Sequence, residues 1–211
     1  MLAILEHNLE KDILDCEPKF AIYQALVNHV DRVTGRGSWD KNGPNYVFDD
    51  NGDIVYEGKF SESNQTDQLN NYISDNIFLK YLYKSRIFRK LAPRVVLTLN
   101  RSSNVDRYLA IVEKAKTIFE SRYPNSEFYI ILWDDPKFSD ISISLIHKSL
   151  LERGIKVFLV SDMLPDFRNN PGQYRLSPND RHPAPVAYDF ISSYTIENIL
   201  KDQIDDNTNL Q

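Results

Sequence analysis

Cysteine is almost missing from these 211 residues: Cys16 is the only one. A lone thiol excludes an internal disulfide framework and any zinc site built on cysteines. Long apolar runs are missing as well. No stretch suffices to span a bilayer, and the opening "MLAILEHNLEKDILDCEP" puts acids where a secretory signal needs an unbroken apolar core. As written, the chain is expected to stay in the cytoplasm. Positive charge is in deficit, with 25 Lys and Arg against 30 Asp and Glu, a formal net charge of -5. Such a balance offers a phosphate backbone no overall attraction, so nucleic acid is not an expected partner.

What is present suits a packed core. Hydrophobic residues make up 42% and aromatics 12% of the chain, and the length favours a single domain, here 1–204, with a polar tail over 205–211. Leu2, Leu5, Leu9, Ile13 and Leu14 fall at helical spacing, predicting an amphipathic helix over 2–16 closed by Pro18. "KFAIYQALVNHV" (19–30) is apolar on both faces and reads as a buried strand. "PNYVFDDNGDIVYEGKF" (44–60) reads as a hairpin turning at Asn51 and Gly52, inside an insertion of about 34–64.

The remainder alternates. A helix is expected over 66–91, then a short apolar run, "RVVLTL", then an amphipathic helix over 103–123 with Tyr108, Ile111, Val112, Ala115 and Phe119 on one face. "EFYIILWDD" (127–135) and "IKVFLVSDM" (155–163) read as buried strands around a helix over 138–154, and a last helix follows Pro183. Buried strands joined by helical crossovers imply an α/β fold with a mostly parallel sheet covered on both faces.

Function in such sheets gathers beyond the strand C-termini. Asn28 and His29, Asp134 and Asp135, and Ser161 and Asp162 follow three of the expected strands, and Asp180 and His182 lie in the later loop "SPNDRHP", so that one cleft is expected to gather them. Each has a plainer alternative. His182 beside Pro183 also suits a helix cap, His29 a structural strand-end residue, and the Asp134–Asp135 pair a turn before Pro136 as readily as a carboxylate pair or metal site. His7 and His147 fall in helical segments and read as surface residues. The basic, aromatic stretch holding Lys80, Lys84, Arg86, Arg89 and Lys90 reads as a helix with a charged exposed face rather than a membrane contact.

"NDRHP" followed by a helix with Val186, Ala187, Ile191 and Ile199 resembles the last conserved block of the SGNH (GDSL-type) hydrolase superfamily. "AIYQALVNHVDR" resembles its strand and loop with an oxyanion-hole Asn, and "EFYIILWDD" and "IKVFLVSD" resemble two late strands of its flavodoxin-like fold. The resemblance implies a three-layer α/β/α architecture with a small hairpin insertion, and a cofactor-free ester or acyl hydrolase acting on an acylated small molecule or carbohydrate. It makes His182 the general base, Asp180 its orienting acid and Asn28 an oxyanion donor.

Two departures from the family pattern matter. The family's acid usually stands three residues before the His, where this chain has Asn179. Its nucleophile sits in a Gly-Asp-Ser block after the first strand, and no Gly-Asp-Ser occurs here. The first strand of this chain matches the family's third, so the resemblance implies an incomplete domain, inactive alone, with a missing N-terminal half that could also have carried a targeting signal. Ser38 in "GRGSW" is the substitute nucleophile on offer, in a loop after a different strand. The rival expectation is a non-catalytic α/β interaction domain that pairs, as a homo-oligomer or with another chain, through a bare sheet edge.

Overall fold

The computed structural model describes residues 1–35, 42–62, 81, 85, 101–135, 143–178 and 180–201. Its elements run in the order α1 (Leu2–Glu6), β1 (Phe20–Leu26), α2 (His29–Arg32), β2 (Pro44–Phe48), β3 (Ile54–Lys59), α3 (Arg101–Arg122), β4 (Glu127–Trp133), α4 (Ile143–Glu152), β5 (Lys156–Leu159), α5 (Val160–Met163), β6 (Arg175–Ser177), β7 (Asp180–Pro183) and α6 (Pro185–Tyr194). The chain divides into two compact units. One holds Met1, Ala3–Asn28 and Ala115–Gln211, and the other Leu2 and His29–Lys114.

The first unit is built on a parallel three-stranded sheet in the order β1-β4-β5. β4 is central. Its six residues from Phe128 to Trp133 are all buried, because a strand covered on both faces has no position left for a polar side chain. Successive side chains leave it on opposite faces. Tyr129, Ile131 and Trp133 join a cluster with Val160, Met163, Phe167, Tyr174, Ala187 and Ile191. On the other face, Phe128 meets Phe119 of α3 edge-on, with ring centroids 6.4 Å apart. α4 buries Ile146 and Leu150, four positions apart on one stripe, and Gly154 at φ 66° turns the chain toward β5.

Three expectations are corrected here. The opening helix stops at Glu6 rather than continuing to residue 16, because Asn8 adopts a left-handed φ of 56° and a short 3-10 turn, Leu9–Asp12, follows. Leu9, Ile13 and Leu14 are exposed, and Glu10 is drawn inward by an ion pair with Arg122. β1 is shorter and less covered than a strand buried on both faces. It ends at Leu26, Phe20 is exposed and Ala25 alone is fully buried. β5 ends at Leu159, so Ser161 and Asp162 stand on α5 instead of a strand end.

The second unit contains the hairpin. β2 and β3 pair antiparallel, Tyr46 opposite Tyr56 with ring centroids 5.7 Å apart. The turn falls at the expected place. Gly52 takes φ 85°, and the Asp49 carboxylate accepts the main-chain N–H groups of Asn51 and Asp53, both at 2.9 Å. Lys114 Nζ donates to the Ile54 carbonyl at 2.8 Å, tying α3 to the start of β3. Apart from Tyr81 and Ser85, the expected helix over 66–91 with its basic face lies outside the described residues, as do the run "RVVLTL" and Ser38.

Candidate functional site

Parallel strands place their C-terminal ends along one rim of the sheet, where Asn28 follows β1 and Asp134 and Asp135 follow β4. Asp134 and Asp135 leave β4 at that rim and separate at once. Asp134 Oδ1 accepts the main-chain N–H of Ser161 at 2.8 Å, which satisfies a donor that the first turn of α5 cannot satisfy internally. Asp135 is buried and pairs with Arg175 of β6. The two carboxylates are thus a helix-end acceptor and an ion-pair partner, the structural alternatives to a carboxylate pair. Among the described residues no cluster of three or more His, Cys, Asp or Glu side chains is placed to hold a metal.

The Arg175 ion pair fixes the root of a second small hairpin. β6 and β7 pair antiparallel, with Arg175 opposite Pro183, and the Ala184 N–H donates to the Tyr174 carbonyl at 2.8 Å where β7 passes into α6. Tyr174 is itself held, its hydroxyl donating to the Pro165 carbonyl at 2.7 Å. Asp180 and His182 therefore lie on a short paired strand, where the sequence predicts a loop.

That correction explains why they meet. Residues two apart on a strand share a face, and His182 Nδ1 lies 2.7 Å from Asp180 Oδ1. The same carboxylate oxygen accepts the His182 main-chain N–H at 3.0 Å, and the Asp180 N–H donates to Ser177 Oγ at 3.0 Å. The main-chain N–H of His182, and then its ring, hold the Asp180 carboxyl below its ordinary range. The His182 side chain is 84% exposed, so the edge of the ring away from Asp180 is open.

The other expected residues are placed as follows. Asn28 follows β1 at the same rim, half-buried, with its Oδ1 shielded and unpartnered among the described residues. No hydrogen bond joins Asn28 to Asp180 or His182. His29 opens α2 in the second unit, and burial, with the nearby Arg32 charge, lowers its pKa from 6.5 to about 4. His7 is exposed beyond α1, and His147 is half-buried on α4. Ser161 and Asp162 meet Arg168, whose guanidinium is 3.1 Å from Ser161 Oγ and 3.4 Å from Asp162 Oδ1. Sequence reasoning did not single out Arg168 or Arg175, since neither carries a local signal and each acquires its partner only on folding.

Compared with models of known families, with curated proteins and with solved structures, the chain has no match. No helix among the described residues is long and apolar enough to cross a membrane.

Proposed function

We propose that these residues form the base-bearing part of an ester or acyl hydrolase of the SGNH (GDSL-type) kind, with a flavodoxin-like three-layer α/β/α fold. The observation that carries the reading is the 2.7 Å contact between Asp180 and His182. A carboxylate on Nδ1 selects the tautomer whose proton lies between the two groups and leaves Nε2 as the base. The parallel β1-β4-β5 sheet, with packed helices on both faces of β4, supports the architecture.

In this reading His182 Nε2 takes the proton of a serine Oγ as it attacks the ester carbonyl, and returns it to the departing alcohol. Asp180 steadies the imidazolium formed between those steps. The Asn28 amide donates to the oxyanion of the tetrahedral intermediate, a contact worth about 3 kcal/mol of barrier in serine enzymes. Water then releases the acyl group from the serine. The substrate is an ester or an acylated small molecule or carbohydrate, and the side chains alone carry the chemistry.

The serine is the part these residues do not supply, as no Gly-Asp-Ser stands in the sequence. The 211 residues by themselves are therefore expected to take up no fluorophosphonate, as read by intact mass. A longer form that carries a Gly-Asp-Ser ahead of these residues is expected to gain one adduct, lost in His182→Ala. An adduct on a serine of the short chain, or labelling of the long one that ignores His182, would overturn the proposal.

A second reading is pairing with another chain along β1, which lies at one end of the described strand order. Sedimentation over a range of concentrations separates the two. Dimerisation abolished by disrupting residues 20–26 supports edge pairing, and a monomer throughout rejects it.

A further inference from the structure

A second concave feature lies away from the sheet rim. Between the sheet and α6 of the first unit runs an open groove of about 400 Å³, within the range of sites for small organic molecules. Its floor comes from β1, where Ile22 and Gln24 are two residues apart and share a face, and from Ile131, which lies opposite Gln24 on β4. Its wall is one flank of α6. Ala187, Ile191, Thr195 and Ile199 form the buried stripe of that helix and of the π-turn after it, and Tyr188, Ser192 and Ile196 follow one position further round at four-residue spacing. This second stripe lines the groove and is exposed, Tyr188 by 47% and Ile196 by 54%.

The polar groups of the groove are rich in acceptors. Asp189 is the charged residue that lines it, exposed on α6 and paired with no cation among the described residues. From Pro185 to Leu200 the chain carries Asp189 and Glu197 and neither Lys nor Arg, so no basic side chain of that stretch offsets the carboxylate. Ser192, three residues on and so on the same flank, donates its hydroxyl proton to the Asp189 carbonyl at 3.0 Å. With that proton engaged, the hydroxyl has lone pairs left to offer a ligand. Gln24, half-buried on the floor, can donate or accept and discriminates between neither.

We propose that this groove binds a primary alkylamine, its ammonium on Asp189 and Ser192 and its chain along Ile22, Tyr188 and Ile196. A primary ammonium is a donor with no acceptor, which matches the carboxylate and the engaged hydroxyl, whereas a carboxylate head would meet repulsion. All five side chains have accessible surface, so the ligand reaches them without opening the core. The head sets the selectivity and the chain the strength. An exposed ion pair is worth about fivefold at most, and each methylene laid against the isoleucines tightens binding about twofold. The groove shares no residue with the Asp180–His182 pair, and amine binding stands whether or not that pair is a catalytic base.

Hexylamine, protonated at neutral pH, is titrated into the folded chain while the methyl resonances of Ile22, Ile131 and Ile196 are followed by NMR, with hexanol and hexanoate as neutral and anionic probes of the same length. Saturable shifts at those methyls are expected, with hexylamine about fivefold tighter than hexanol and tighter still than hexanoate. Butylamine, two methylenes shorter, is expected to bind about fourfold more weakly than hexylamine. Asp189→Asn keeps the shape and removes the charge, and is expected to bring hexylamine to the level of hexanol with circular dichroism unchanged. Ile196→Lys, at an exposed wall position, is expected to abolish hexylamine binding. Absence of saturable shifts in the folded wild type, hexanol or hexanoate binding as tightly as hexylamine, or an amine preference that survives Asp189→Asn would each overturn the proposal.

Discussion

Arg175 reaches across from β6 to the buried carboxylate of Asp135, the second residue beyond the end of β4. The pair joins the hairpin that carries His182 to the rim of the sheet. Its partners are forty residues apart in sequence. Removing one charge strands the other in a poorly solvated place, so Asp135→Leu is expected to destabilise the fold by about 3–5 kcal/mol, measured by urea unfolding. Asp135→Leu combined with Arg175→Met is expected to recover most of that loss. If the double variant is no more stable than the single, the pair is not what holds the hairpin.

The strands of the sheet should differ in their sensitivity to truncation. Ile130 in the centre of β4 has no exposed surface, whereas Phe20 at the start of β1 is 38% exposed. Ile130→Ala is expected to cost about 2–5 kcal/mol, since the cavity it leaves adds to the lost burial. Phe20→Ala is expected to cost clearly less despite the larger side chain. Equal losses in chemical denaturation would mean that β1 is covered as fully as β4.

His29 gives the fold an acid-sensitive point. Burial lowers its pKa from 6.5 to about 4, so between those values the unfolded chain takes up a proton that the folded chain refuses. Stability contributed by the neutral ring is therefore complete above about 6.5 and declines as pH falls through about 4. The shift caps the loss at about 3 kcal/mol. His29→Gln is expected to flatten the stability profile between pH 4 and 7, and a profile unchanged by that substitution would show that His29 is accessible to protons in the fold.

Local signals were legible and long-range ones were not. The central strand could be read from "FYIILW" because six consecutive apolar residues allow little else, and the hairpin turn from Asn51-Gly52 because a positive φ favours glycine. The leucine spacing at the start of the chain is genuinely helical, but nothing in the pattern marks Asn8 as the residue that leaves helical conformation. The short strand β7 was hidden for a different reason. "DRHP" gains strand geometry from pairing with "RLS" and from the anchor at Asp135, and neither partner is implied by its own composition. The proximity of Asp180 and His182 was suggested by resemblance, and their separation of two residues on a strand supplies the physical cause.

The most direct test of the account is the tautomer of His182, read from its ring nitrogen shifts and proton couplings by NMR at neutral pH. An oriented base requires the proton on Nδ1, held against the Asp180 carboxylate, and a bare Nε2. That tautomer is expected to dominate in the wild type, with Asp180→Asn shifting the population toward protonated Nε2. A wild-type ring carrying its proton on Nε2, or averaging freely between the two nitrogens, would contradict it.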